Sequence, residues 1–576
     1  MRKFKLIGTA LVASGTLVAN GCTTLPGDSA PEVISSYSPA PDVEDVVEPK
    51  DNQPSDLLLR DFFAASAHPV SDYAAARKFL TAERADQWHP ERKTKVLDRV
   101  FINSDGAVRD GKITYRVRGN VLGTLSPGGV FTPEFTGYET TYEMVQERGQ
   151  WRISNLRDAV VLDRADFFSA YEARDLYFVN PRGSMLVPDR RWVYTRQQST
   201  GASLISLLNN GPNPLLGDAV NSLVPPTATV RTQRIEDGEF EVEFTGLTGL
   251  NPEARRLLGA QVVWTLAGAD VRGPYRLIAD GTLLSEDVGE TWRVNDVSEF
   301  DPRASAAGTL RAVSGGQVRE LSESNADAVP MGGWLASNYI ESLAVSSQEN
   351  MFAAVTGMGD RPRRLLVGKS EGAPQQVLEA KSLTRPSWSG DAHALYTVAD
   401  GQDITRFVNS GRTGNLVEEP VDAESVKRLG PDARISLFRV SRDGVRAALL
   451  IDGKVYVAVL HDRERGGVRL GELEEIGYQL GDTAVSVGWQ HDGTLLVGTR
   501  ANDAPVWHLA VDGSMARQES ARNIAAPVVA VASTAQALYA TDGRALVMLN
   551  RDDSDPKYWR EVPGLVGQRA IPVVAH

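Results

Sequence analysis

One residue in this chain of 576 has a type and position that specify a covalent chemistry: Cys22, its single cysteine. Arg2, Lys3 and Lys5 precede an apolar run over residues 6–19, and Asn20-Gly21 separates that run from Cys22. Positive charge, an apolar core of roughly 7–15 residues and a small residue before the cut make a secretory signal peptide over residues 1–21. A cysteine that becomes the first residue after such a cut is placed for acylation. Its thiol takes a diacylglycerol and the freed amine takes an acyl chain.

The pattern usual around a lipidated cysteine in bacteria is Leu, a small residue, Gly or Ala, then Cys. Gly21 keeps the small residue before Cys22, whereas Ala19 and Asn20 depart from the two positions before it. A membrane-spanning helix needs about 20 apolar residues, and the run here is shorter. With Cys22 acylated, no disulfide can form within the chain, so stability has to come from buried cores. The formal charge is −13, and loss of the three basic residues with the signal makes it roughly −16. That balance argues against a nucleic-acid partner and against a polybasic footing on a membrane.

The remaining chemistry-bearing residues converge on nothing. His68 and His89 each sit beside a proline in turn-like sequence and read as surface or loop residues. The seven histidines (68, 89, 393, 461, 491, 508 and 576) are far apart along the chain, and there is no second cysteine to complete a zinc set. The sequence has no His-Glu-x-x-His, no Gly-x-Ser-x-Gly elbow and no Gly-rich loop ending in Gly-Lys-Ser or Gly-Lys-Thr. Asp552, Asp553 and Asp555 could take a cation but read more simply as a solvated turn. No catalytic residue, cofactor or metal is therefore assigned. A glycosidase needs two carboxylates at no fixed sequence spacing, so a hydrolase or binder of cell-envelope glycan or peptidoglycan stays open as the alternative function.

The elements that would carry any site fall into a string of domains. Residues 22–54, the acylated cysteine and a Pro-rich tether, are too poor in large apolar side chains to fold. Extended at about 3.1 Å per residue, they could hold the first domain up to ~100 Å from the lipid. Residues 55–175 begin with Leu57, Leu58, Phe62 and Ala65 at helical spacing after Ser55-Asp56, which reads as an N-cap. A second helix is expected over 73–80. Period two then takes over: Ile113, Tyr115 and Val117 on one face of a strand, Thr114, Arg116 and Arg118 on the other, with more strands over 138–146 and 150–156. Helices followed by a curved antiparallel sheet resemble the NTF2-like α+β fold.

Residues 178–303 form a second α+β domain. A strand is expected over 192–196, a helix over 202–209, and a hairpin over 227–235 and 239–244 around Glu236-Asp237-Gly238. In its second strand Phe240, Val242 and Phe244 face inward, with Glu239, Glu241 and Glu243 outward. Asn251 caps a helix with Pro252 at its first position and Gly268 past its end. Ala254, Leu258, Val262 and Leu266 form its buried stripe, and a strand over 275–278 closes the domain.

From residue 308 to 576 short apolar strands recur with turn signals. A degenerate unit of apolar pair, Ser or Gln, turn and strand appears at Ala344-Val345-Ser346, Ser387-Trp388-Ser389, Arg439-Val440-Ser441, Gly488-Trp489-Gln490 and Ala530-Val531-Ala532. Their spacings of about 43, 52, 49 and 42 residues are those of four-stranded propeller blades. A sixth blade is closed if residues 309–313 and 317–321 pair with 571–574. The Asp-Gly pairs at 443, 452, 492, 512 and 542 read as hairpin turns and not as calcium loops. Trp388, Trp489 and Trp507 are expected to pack between blades; Tyr558 and Trp559 sit in a polar stretch and, if exposed together, would offer a contact point.

A signal with an acylated cysteine, a Pro-rich spacer, a small α+β domain and a terminal propeller together resemble the LpqB lipoproteins of Actinobacteria. The middle domain is similar to GerMN domains in Ser203-Leu204-Ile205-Ser206-Leu207-Leu208 before Gly211-Pro212, in Val224-Pro225-Pro226-Thr227-Ala228-Thr229-Val230 and in Gln261-Val262-Val263-Trp264-Thr265-Leu266. The resemblance rests on domain order over the whole chain after the signal, and only the acylated cysteine carries over, onto Cys22. It implies a non-enzymatic lipoprotein on the outer face of the cell membrane that binds the extracytoplasmic part of the sensor histidine kinase of an MtrAB-type two-component system.

Overall fold

The computed structural model describes residues 47–575 except 236–237, 248, 305–308, 323, 347–349, 410–414, 464–465 and 555–556. These belong to one compact unit, Asp45–His576. Cys22, the signal segment, the tether as far as residue 46, the turn at Glu236-Asp237, Asp555 and His576 lie outside the described residues.

Order begins earlier than residue 55. The Asn52 N–H donates to Gln150 at 2.8 Å and the Gln53 amide to Asp61 at 2.6 Å, so the last residues assigned to the tether belong to the first domain's surface. Helix Ser55–Ser66 follows Pro54, and Ser55 does not cap it: its hydroxyl bonds instead to Tyr115 Oη at 2.8 Å. The helix buries Leu58, Leu59, Phe62 and Phe63, whereas Leu57 faces solvent, one position off the expected stripe. Helix Val70–Arg77 departs from helical geometry at Ser71, Asp72 and Tyr73, so the second helix is short.

These helices cover a sheet ordered Gln150–Asn155, Gly137–Glu147, Lys112–Ser126, Thr94–Leu97, Val160–Asp163. Ile113, Tyr115 and Val117 face the core, as period two requires. The result is an α+β domain with an aromatic centre of Phe62, Phe79, Trp88 and Tyr142.

The chain leaves this domain through Tyr171–Val179, which pairs along its whole length with Leu186–Tyr194. Both the 175 and the 178 limits expected for the two domains fall inside that first strand, because it serves them both. Helix Thr200–Asn209 is capped by Ser199, and strands Thr229–Arg234 and Phe240–Thr245 form the expected hairpin. Phe240–Phe244 runs parallel to Tyr275–Ala279. Parallel neighbours need a crossover, and helix Pro252–Ala267 supplies it, with Asn251 Oδ1 accepting the Ala254 N–H at 2.8 Å. Gly259 is required there, since a Cβ would lie 2.2 Å from the buried Trp292 ring.

The rest is a β-propeller. Six sheets form a ring whose innermost strands are Ile571–Val573, Ile340–Val345, Ser387–Trp388, Ile435–Val440, Ala484–Trp489 and Ala530–Ser533. Each innermost strand lies against the next, and the sixth returns to the first. The first blade is completed by the last strand of the chain: Arg311–Ser314 pairs with Gln317–Leu321 on one side and Ile571–Val573 on the other. The fourth blade carries two short strands, Val468–Leu470 and Glu474–Ile476, side by side on Lys454–Asp462.

Trp388, Trp489 and Trp507 are buried, as expected. The exposed pair is not found: Tyr558 is 40 % exposed, but Trp559 is 1 % exposed and donates its indole N–H to Ser520 O at 2.7 Å. Leu549, Ile524 and Val528 enclose its ring, so a polar sequence neighbourhood misled the sequence reading.

Because the ring closes on its last strand, residues 571–576 should be indispensable. Val573 and Val574 are buried, and each buried valine contributes about 1.5–3 kcal/mol. Deleting 571–576 is expected to lower the thermal midpoint by roughly 10 °C and to open residues 311–330 to protease. An unchanged melting curve would contradict closure by this strand.

Candidate functional site

The hairpin Tyr171–Val179/Leu186–Tyr194 is the place where all three domains meet. Alternation along its second strand turns Asp189 and Arg191 to the same face, and both are buried. Arg191 Nε and Nη2 donate to the two Asp189 oxygens at 3.1 and 2.7 Å. The same guanidinium donates to Gly128 O of the first domain at 2.9 Å and to Gly211 O of the second at 3.2 Å. Asp189 Oδ2 also accepts the Asn213 N–H at 2.8 Å. Gly129 fits beside this pair with φ +77°, and its carbonyl accepts the Trp192 N–H at 2.7 Å.

Further contacts of the hairpin go to the propeller. Trp192 donates its indole N–H to Asp512 at 3.1 Å, Arg446 donates to Pro188 O at 2.5 Å, and Asn180 donates to Asp443 O at 3.3 Å. Arg182 pairs with Asp391 at 3.0 Å. Beyond the hairpin, Asp218 meets His461 at 2.6 Å, and Phe135 of the first domain lies 4.3 Å from the Tyr478 ring. Three of the Asp-Gly turns read from sequence, at 443, 492 and 512, therefore lie at this junction, where the second domain covers one end of the ring.

Among the cavities in the seam, two stand out by volume. The larger, about 300 Å³, is walled by Asp189, Arg190, Asp218, His461, Glu474 and Asp512 among others. The smaller, about 170 Å³, lies at the ring mouth under hairpin residues 184–188 and residues 299–303. Burial works against the Arg190 charge, yet Asp175 and Asp512 together hold it above the ordinary arginine value. Burial, with the Asp512 charge added, pushes Glu474 up to about 6. The bond to His461 holds Asp218 below the usual carboxylate range.

Inside the ring, Arg385 of the third blade donates to Leu343 O of the second at 3.0 Å and to Pro572 O of the first at 2.8 Å. Arg439 of the fourth donates to Pro386 O at 2.9 Å. Burial, and then the neighbouring Arg439, lower the pKa of Arg385 well below the ordinary value, and burial brings Arg439 to about 10. Guanidinium-to-carbonyl bridges between inner strands, not converging carboxylates, mark this part of the ring wall.

The sequence candidates are dispersed. His68 Nδ1 meets Tyr194 Oη at 2.8 Å and ties the first helix to the hairpin, while burial and Arg196 lower its pKa. His89 is exposed, 3.3 Å from Glu91. His508 lies between Gln490 and Glu519. Asp553 reaches Arg560 at 3.7 Å. Among the described residues no group of three His, Asp or Glu side chains could hold a metal, and no helix is long and apolar enough to cross a membrane. Sequence reasoning missed Asp189, Arg191, Asp218 and His461. The only trace was charged residues inside an otherwise apolar strand.

Fold and seam define a class: a propeller protein whose ring is docked, through one shared hairpin, on a GerMN-like domain and an N-terminal α+β domain. Three family descriptions match it piecewise: "Lipoprotein LpqB, N-terminal domain" over residues 48–168, "Sporulation and spore germination" over 175–285, and "Lipoprotein LpqB beta-propeller domain" over 316–575. The chain is 51 % identical to Lipoprotein LpqB of Corynebacterium jeikeium over 98 % of its own length and 97 % of the relative's. It is 37 % identical to that of Rhodococcus opacus, over 100 % and 98 %, and 32 % to that of Mycobacterium bovis, over 98 % of each. The chain belongs to the LpqB lipoprotein family. Among solved structures, TolB from Acinetobacter baumannii is 13 % identical at a TM-score of 0.34, covering 47 % of this chain and 67 % of that one, a score too low to carry an argument.

Two predictions follow from the seam. Asp189→Ala strands the buried Arg191 charge, so a loss of roughly 3–5 kcal/mol is expected in urea unfolding; a loss below 1 kcal/mol would remove the pair from its linking role. For Glu474, the folded protein keeps between about pH 4.5 and 6 a proton that the unfolded chain has released. The stability contributed by this group is therefore fully present below that window and falls as pH rises through it. Glu474→Gln should raise stability by about 1–2 kcal/mol at pH 7.5 and leave it unchanged at pH 4; equal effects at both pH values would refute this account.

Proposed function

We propose that this protein is a non-enzymatic lipoprotein, anchored through acylated Cys22 on the outer face of the cell membrane, that binds and modulates the extracytoplasmic domain of an MtrAB-type sensor histidine kinase. Membership in the LpqB family supports this reading, and one observation carries it: the docked domains occupy one end of the ring and leave apolar side chains exposed at the other. Tyr339, Met358, Leu429, Val529 and Val566 all lie in loops entering the innermost strands or joining the second and third strands. Met358 is 66 % and Val566 65 % exposed. Exposed apolar side chains on the one uncovered end of the ring are the surface this reading offers for protein contact.

In this reading the NTF2-like first domain and the GerMN-like domain orient the ring, and its uncovered end meets the kinase. Binding shifts the kinase between signalling states only in so far as the lipoprotein prefers one of them.

Crosslinking in intact cells followed by capture of the lipoprotein is expected to enrich the kinase, and Met358→Asp with Val566→Asp to reduce that enrichment. Cys22→Ser should move the protein out of the membrane fraction with its folded domains unchanged. Absence of the kinase from the captured material, with kinase output unaltered on deletion, would refute the proposal.

A further inference from the structure

The ring interior holds a positive charge that the chain itself does not balance. Arg385 lies just before the innermost strand of the third blade, and its side chain reaches across two neighbouring blades. Nε donates to Leu343 O of the second at 3.0 Å, and Nη2 donates to Pro572 O of the first at 2.8 Å. Arg439 of the fourth blade donates to the carbonyl of the very next residue, Pro386, at 2.9 Å. Two guanidiniums are thereby gathered on one stretch of inner wall, and the charge of Arg439 works against that of Arg385.

Elsewhere the protein answers a deeply placed arginine with an acid. Arg190 faces Asp175 at 3.2 Å, Arg191 faces Asp189 at 2.7 Å and Arg406 faces Glu419 at 2.8 Å. Arg385 makes no ion pair among the described residues; its bonds there go to carbonyls. The acids that lie nearest to these inner strands along the chain are engaged in other ways: Glu341 with Arg363, Asp391 with Arg182 at 3.0 Å, and Asp443 with Ser441 at 2.6 Å.

Two carbonyl dipoles orient a guanidinium but do not neutralise it. A charge taken out of water is costly unless another charge compensates it. Arginine cannot escape the cost by giving up its proton, so relief has to come from a negative charge outside the chain. There is room for one. Nη1 of Arg385 has no acceptor among the described residues and is not sealed in, since the residue keeps contact with a water-sized space although protein surrounds it.

We propose that a small inorganic anion occupies the ring interior against Nη1 of Arg385, with Arg439 lending the second positive charge. The carbonyls and side chains gathered there belong to the first four blades, so an anion bound among them favours the closed ring over any opened form. The site lies within the propeller and does not rest on the kinase reading.

The test places the purified full-length protein in a buffer whose anion is gluconate, too bulky for such a site. Sodium chloride or sodium phosphate then replaces sodium gluconate at constant ionic strength. The melting midpoint is expected to rise saturably with at least one of the two, half-complete below ~50 mM. Chloride, if it is the ligand, also broadens its own NMR line in the presence of protein; a rise with phosphate alone, without that broadening, identifies an oxyanion. Arg385→Gln should weaken the response by roughly tenfold or more. That variant also loses two bonds to carbonyls, so the slope of midpoint against anion concentration is compared and not the midpoint itself. Bromide soaked into crystals of the parent protein gives a second readout, an anomalous peak beside Arg385. A midpoint indifferent to both anions, an unchanged response in Arg385→Gln, or bromide peaks with none at Arg385 would overturn the assignment.

Discussion

The Arg191–Asp189 pair is the constraint on which the arrangement of the three domains depends. A planar guanidinium with several donors in a fixed fork can satisfy a carboxylate and two carbonyls at once, and Arg191 does so toward Asp189, Gly128 and Gly211. Two charges taken out of water cost several kcal/mol each unless geometry and further bonds recover it. The cost is recovered only when the first domain's turn and the loop after helix Thr200–Asn209 are both in place. Energetically the pair adds little net stability over a well-packed apolar substitute. What it adds is selectivity for one relative placement of the domains, since any other leaves a buried charge short of partners.

From that placement the docking of the propeller follows. The hairpin bearing Arg191 also bears Trp192, Pro188, Arg182 and Asn180, whose propeller partners lie in or directly after turns of the third to fifth blades. A turn such as Ser441-Arg442-Asp443-Gly444 therefore has two jobs. Its serine and aspartate side chains close the turn internally, and its outward carbonyl receives the second domain. Internal satisfaction is what keeps these loops rigid enough to serve as a docking surface.

Much of this architecture was legible in the sequence because it rests on local chemistry. The Asn251-Pro252 start and Gly268 end of the crossover helix, the alternation over residues 240–244 and the spacing of the inner strands each depend on a few adjacent side chains. Even ring closure could be read, because residues 571–574 were a strand without a local partner. The seam could not. Asp189 with Arg191, Asp218 with His461 and Trp192 with Asp512 are separated by 2, 243 and 320 positions respectively. Even the near pair looks like an ordinary exposed alternation until the opposite wall is known. At Leu57 the helical stripe was read one position off, and at Trp559 the polarity of neighbours along the chain was taken for exposure, whereas burial is set by neighbours in space.

Domains fixed to one another have a consequence for the proposed contact with a membrane-bound kinase. If the domains moved freely, ordering them on contact would subtract from affinity, side chain by side chain. Fixed through Arg191 and the turns at Asp443 and Asp512, the uncovered end of the ring presents Tyr339, Met358 and Val566 in one constant relation to the rest of the body. In the proposed reading, attachment of both partners to one membrane makes their encounter effectively intramolecular. With docking entropy reduced by the fixed domains and encounter entropy by the shared membrane, the proposed contact needs only a few apolar side chains. Such a contact remains weak enough to exchange, as the proposed modulation of a two-state kinase requires.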